Sequence, residues 1–83
     1  MRQKLRILLA DDDPVFLRLL PTQLASNNFE ISTATTGRSV LDVLEKIEFD
    51  VIILDVELPD ISGIDVLKTI RNHKSAPEVI MLT

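Results

Sequence analysis

Residues 51–54 read Val-Ile-Ile-Leu, and Asp55 follows directly. Four apolar, β-prone residues without polar alternation suit a strand covered on both faces, as at the inner position of a parallel sheet. Other segments fall into place around it. Leu5 to Ala10 reads LRILLA and has the same buried-strand character, Phe29 to Ala34 reads FEISTA and alternates, and Val79 to Leu82 reads VIML after the break at Pro77. The stretches between them have helical spacing. Asp13 followed by Pro14 is a helix start, an N-cap carboxylate with proline at the first helical position, and Leu17, Leu20 and Leu24 continue it. Pro21 interrupts that segment, and a proline inside a helix costs about 3 kcal/mol relative to alanine, so a kink or a helix broken in two is expected there. Thr36 caps a second helix with Val40, Leu41, Leu44 and Ile47 as its apolar stripe. A polar loop containing Pro59 and Gly63 leads to a third, carried by Ile64, Leu67 and Ile70. The order β-α-β-α-β-α-β implies an α/β fold with a parallel sheet and right-handed crossovers.

Bulk properties narrow the function classes. The 83 residues make one small domain, and at 46 % hydrophobic content the chain can build a core. Aromatics contribute only 4 %, all Phe, so aliphatic side chains must fill that core. Cysteine is absent, which excludes disulfides and thiolate metal sites and fits a reducing compartment. A net charge of −4 argues against nucleic-acid binding by this segment. No apolar run approaches the ~18–20 residues needed to span a bilayer. The basic start Met1-Arg2-Gln3-Lys4 meets Asp11-Asp12-Asp13 too soon for a signal peptide, so a cytoplasmic location is expected.

In open α/β sheets, ligands sit beyond the carboxyl ends of the strands. The first strand ends in Asp11-Asp12-Asp13, the third in Asp55 with Glu57 two residues later, and the fourth in Thr83. If the first and third strands are neighbours, two or three carboxylates meet, and charges that close need a proton or a cation between them. Carboxylates and carbonyls without His or Cys suit a hard, oxygen-seeking ion, Mg2+ above all. Taken singly, each residue has a plainer reading. Asp11 and Asp12 could be a solvated acidic turn, Asp55 a strand-end turn residue, and Asp13 serves better as N-cap than as ligand. Asp60 is a turn residue after Pro59, while Lys68, Arg71 and Lys74 form a solvated face. His73 stands near a helix end, where its charged form favours the dipole.

The stretches ILLADDDP, DVIILDVELPDISGIDVL and EVIMLT resemble the receiver domain of two-component response regulators, and the likeness runs from Lys4 to Thr83. The resemblance implies a flavodoxin-like doubly wound sheet with strand order 2-1-3-4 and three helices. It implies Asp55 as phosphoacceptor and metal ligand, Asp11 and Asp12 as the acidic pair that helps hold Mg2+, with Asp12 the more direct ligand, and a backbone carbonyl of Glu57 at the metal. Thr83 takes the place of the switch hydroxyl that bonds the acyl phosphate, a charge-assisted bond of ~1.5–3 kcal/mol. The donor would be a histidine kinase or a histidine phosphotransfer protein.

The family continues beyond Thr83 with a helix, a strand ending in a phosphate-pairing Lys, and a further helix. Against that pattern, residues 1–83 read as a receiver domain incomplete at its C-terminus, and neither Lys68 nor Lys74 matches the missing Lys. Val79 to Leu82 would then form an apolar sheet edge, through which homo-oligomerisation is expected. An alternative function is a non-phosphorylated receiver acting as an interaction or dimerisation module. An Asp-nucleophile phosphohydrolase fits less well, because Asp55-Val56-Glu57 only approximates its D-x-D arrangement and the first-strand acids would have no role. The chain is not expected to be an enzyme in the usual sense.

Overall fold

A computed structural model of the protein describes residues 4–24, 28–73 and 76–82. The elements follow the expected order: β1 (Leu5–Ala10), α1 (Pro14–Leu24), β2 (Phe29–Ala34), α2 (Gly37–Leu44), β3 (Val51–Asp55), α3 (Gly63–Arg71) and β4 (Glu78–Leu82). The four strands form one sheet in the order β2-β1-β3-β4, and each adjacent pair is parallel.

The two inner strands are the apolar ones. Ile7, Leu8, Leu9 and Ala10 of β1 are all buried, as a strand covered on both faces requires. Leu8, Ala10, Ile52 and Leu54 point to one side, where they pack with Ala34, Val40, Phe49, Val66 and Ile70 beneath α2 and α3. Val79 and Met81 of β4 join the margin of this cluster. On β4 the alternate residue Ile80 is 53 % exposed, so the outer strand presents the expected apolar edge.

Register is anchored at the amino ends of the strands by Asp50. Its carboxylate accepts from the Arg6 amide at 2.8 Å, its own amide donates to the Arg6 carbonyl at 2.8 Å, and its carbonyl accepts from the Glu78 amide at 3.1 Å. One residue thus ties the starts of β1, β3 and β4 together. The ladder that follows pairs Ile7 with Val51 and Ala10 with Leu54.

Three local expectations are corrected. The helix is not broken at Pro21, since Pro14–Leu24 is a single element. Proline's fixed φ is itself helical, so the helix runs on despite the lost N–H bond and the crowding of the ring against the Leu17 carbonyl. The Thr22 hydroxyl adds a bond across that turn, donating to the Arg18 carbonyl at 3.1 Å. In α3 the buried stripe is Gly63, Val66 and Ile70, whereas Ile64 is 43 % exposed. Gly63 opens the helix instead of lying in the loop, which shifts the inward face to positions 63, 66, 67 and 70. In α2 the helix ends at Leu44, so Ile47 lies outside it and is largely exposed, and Phe49 fills the core at that level. The Thr36 cap stands as expected and is reciprocated: the Thr36 hydroxyl accepts from the Ser39 amide at 3.0 Å, and Ser39 Oγ accepts from the Thr36 amide at 3.2 Å. Asn27 and Lys74 lie outside the described residues.

The two faces of this sheet predict a contrast. Ile52→Val removes a methylene from a fully buried site and should cost about 0.5–1.5 kcal/mol. Ile80→Val on the exposed edge should stay within about 0.5 kcal/mol. Urea denaturation of the two variants measures the difference.

Candidate functional site

The site forms where β1 and β3 run out side by side. Ala10 and Leu54 are register partners, so Asp11 and Asp55, the next residues, emerge as neighbours on the same side of the sheet. Carboxylate oxygens of Asp11, Asp12 and Asp55 lie within 4.8 Å of one another, among the described residues. The three line an open cleft with Asp13, Phe16 and Leu82. The structure thus brings together three of the acids that the sequence singled out.

Each acid is held differently. Asp11 is only 9 % exposed, its amide donates to the Ala34 carbonyl at 3.1 Å, and one of its carboxylate oxygens accepts from the Asp13 amide at 2.9 Å. Burial pushes the Asp11 carboxyl above the ordinary carboxylate range; the Asp13 N–H opposes the shift, and the charges of Asp55, Asp12 and Asp13 reinforce it. Asp12 is exposed at the mouth of the cleft. Asp13 caps α1, since its Oδ1 accepts from the Val15 amide at 2.9 Å and its carbonyl from the Leu17 amide at 3.0 Å. That places Asp13 in the capping role. Asp55 is half-buried, with its Oδ1 accepting from the Glu57 amide at 3.1 Å. Thr83 lies outside the described residues.

Two site neighbours carry more than their sequence reading assigned. Gly63 sits directly against the end of β3, where an added Cβ would come within 2.2 Å of the Asp55 carbonyl oxygen and 2.8 Å of the Val56 Cα. Its amide donates to the Val56 carbonyl at 2.7 Å. Only glycine permits that approach of α3 to the acceptor strand. Asp60, expected as a simple turn residue, reaches across to α2, accepting from the Gly37 amide at 2.7 Å and the Arg38 amide at 2.9 Å. These bonds, that of Arg38 foremost, hold the Asp60 carboxyl below its usual range despite the opposing effect of desolvation. A helix needs acceptors for its first amides, which the sequence does show; which distant acid supplies them it does not.

The donor set fits a hard divalent cation. It is all oxygen, it converges from two adjacent strands, and it carries like charges that a cation would relieve. The strain falls on Asp11, whose native state holds its proton more tightly than the unfolded chain does. Its contribution to stability is therefore present in acid and is lost as pH rises through its folded value. Asp11→Asn should raise the Tm of the chelated protein at pH 7 and flatten this acid-side dependence, as thermal melts across pH would record. Gly63→Ala should destabilise by about 1–3 kcal/mol through overpacking and displace the end of β3. Amide chemical shifts at Asp55 and Val56 would report that displacement.

Comparison with known proteins adds the family. The model of the response regulator receiver domain matches residues 7–83. The regulatory protein AtoC of Escherichia coli is 37 % identical over 78 residues, which cover 94 % of this chain and 17 % of AtoC. The transcriptional regulatory protein KdpE of Mycobacterium tuberculosis is 40 % identical over 75 residues, covering 90 % of this chain and 33 % of KdpE. This chain thus spans a third or less of these curated relatives. Among solved structures, the response regulator TrrA of Thermotoga maritima, in complex with Mg2+ and BeF, superposes with a TM-score of 0.87 at 39 % identity, over 95 % of this chain and 69 % of that one. TrrA in complex with the histidine kinase ThkA gives a TM-score of 0.86 at the same 39 % identity, over 95 % of this chain and 68 % of that one. With its matched sequence, its flavodoxin-like sheet in the order 2-1-3-4 and its acidic cleft at the strand ends, the chain belongs to the response regulator receiver domains of two-component systems.

Proposed function

We propose that this receiver domain accepts a phosphoryl group on Asp55 in an Mg2+-dependent phosphorelay. The observation that carries the reading is the convergence of the Asp11, Asp12 and Asp55 carboxylates within 4.8 Å at the ends of two paired strands. Asp11, Asp12 and Asp55 would hold the ion, with the Glu57 carbonyl as a further ligand. When bound, Mg2+ supplies positive charge that offsets the repulsion between the acids and an incoming phosphoryl group.

The residues of the chain do the rest. Asp55 stands at the open cleft with one oxygen tied to the Glu57 amide, which leaves the other to act as nucleophile. That oxygen forms the new P–O bond while the bond from phosphorus to the donor breaks, its electron pair leaving with the donor. With a phosphohistidine donor the departing atom is the imidazole nitrogen. The donor class, a histidine kinase or a histidine phosphotransfer protein, is supported by the complex of the related TrrA with a histidine kinase. Buried Asp11 shapes the field around the nucleophile, and exposed Asp12 is the acid an ion can reach from solvent. Thr83 would donate a hydrogen bond to the acyl phosphate, a local charge event of the kind that biases a two-state element. Among the described residues no helix is long and apolar enough to cross a membrane.

The test is direct labelling. With acetyl phosphate and Mg2+ the chain should gain one hydroxylamine-sensitive phosphoryl group, detected by intact-protein mass spectrometry. Chelation with EDTA or the Asp55→Asn substitution should abolish it. A label that survives Asp55→Asn would place the acceptor elsewhere.

A further inference from the structure

We infer that Asp60 is a positioning residue for the acceptor site, bracing the loop that follows Asp55 against the amino terminus of α2. The inference rests on the proposed role of Asp55 and extends it to a residue outside the acidic cleft.

The loop 56–62 carries the Glu57 group expected at the metal; its Val56 amide bonds the Leu82 carbonyl at 3.1 Å, its Leu58 and Ile61 pack on the core, and three further attachments hold it. At its start the Glu57 amide bonds Asp55 Oδ1 at 3.1 Å, which orients the acceptor carboxylate. At its end the Gly63 amide bonds the Val56 carbonyl at 2.7 Å and closes the loop on itself. Between them Asp60 reaches to a different element, with one carboxylate oxygen on the Gly37 amide and the other on the Arg38 amide. Close approach makes this possible. A Cβ on Gly37 would lie 2.9 Å from Ile61 Cβ and 3.4 Å from Asp60 Oδ1, so the loop rests on α2 at a residue without a side chain.

Asp60 is thus the polar tie between the loop and a helix fixed independently of the acidic cleft. α2 has its own cap in Thr36 and Ser39, and Val40 anchors it in the core. Without the Asp60 tie, the Glu57 amide that orients Asp55 and the Glu57 carbonyl proposed for the metal would belong to a loop that keeps its apolar packing and its bonds to Leu82 and Gly63 but loses its polar link to α2. The caps can be separated experimentally, because Thr36 bonds the same helix start through Ser39 and, among the described residues, makes no bond to the loop.

The test compares Asp60→Ala, Asp60→Asn and Thr36→Ala with the parent chain, below the melting temperature of every variant. Calorimetry gives Mg2+ affinity, and acetyl phosphate labelling gives the rate at Asp55. Losing a group that orients a metal ligand typically costs about tenfold or more in affinity or activity, and Asp60→Ala should fall by about that factor. Asp60→Asn keeps an acceptor oxygen and should recover most of it. Thr36→Ala should lower Tm while leaving Mg2+ affinity and labelling at parent values. The Glu57 amide resonance of the metal-free protein should move in Asp60→Ala and stay in place in Thr36→Ala. Parent-like affinity and rate in Asp60→Ala, or equal losses in Thr36→Ala, would overturn the inference. A parent chain that takes neither Mg2+ nor a phosphoryl group would instead overturn the phosphoacceptor reading, and this one with it.

Discussion

The register between β1 and β3 is the constraint on which the rest depends. Side chains in a strand alternate faces, so a slip of one residue would turn either acid to the opposite side of the sheet. Two features hold the register. At the amino ends, Asp50 bonds to Arg6 and Glu78 and sets the starts of three strands. Along the ladder, Leu8, Ala10, Ile52 and Leu54 are fully buried, and a slip would turn them out of the packing they make with Val40, Val66 and Ile70. Core packing thereby determines where Asp11 and Asp55 meet, and the site inherits its geometry from apolar residues that take no part in its chemistry.

The same geometry opposes stability. Three carboxylates are brought together, one of them almost fully buried, in a small domain. The raised Asp11 carboxyl expresses that conflict, with desolvation as its main source and neighbouring charges adding to it. A purely structural turn would gain by replacing these acids with neutral residues. Elsewhere the fold follows local rules: α1 starts on Asp13, α2 on a reciprocal Thr36–Ser39 cap, and α3 on Ser62, whose Oγ accepts from the Ile64 amide at 3.2 Å. Among the described residues the local rules are broken at Pro21 inside α1 and at this acidic cleft, and such breaks are expected where function requires them.

Much of this was legible in the sequence because the signals were local. VIIL and LRILLA announced inner parallel strands by their uniform apolarity, and Asp13-Pro14 and Thr36 announced helix starts. The meeting of Asp11, Asp12 and Asp55 followed from strand-end position together with the strand order that the family resemblance implies. At Pro21 the break in the helix does not occur, because proline's fixed φ is itself helical and the helix continues past it. Ile64 departs from expectation as well. Its spacing with Leu67 and Ile70 is helical, yet Val66 sits deeper once Gly63 is the first helical residue. Asp50, Asp60 and Gly63 escaped functional notice for a common reason. Their partners lie in other elements or in backbone brought near by folding, and residue type alone does not name such partners.

Those three residues show how the sheet and helices divide the work of holding the cleft. Asp50 sets the strands from below, and Gly63 lets α3 press against the backbone that bears the acceptor. Asp60 joins the loop beyond the acceptor to α2. A catalytic or binding group must be held within about half an ångström of its productive geometry, which rigid elements achieve better than free loops. Here the acceptor stands at the end of a buried strand, and the loop beside it is bonded to two helices. The loop thereby gains stiffness from α2 and α3.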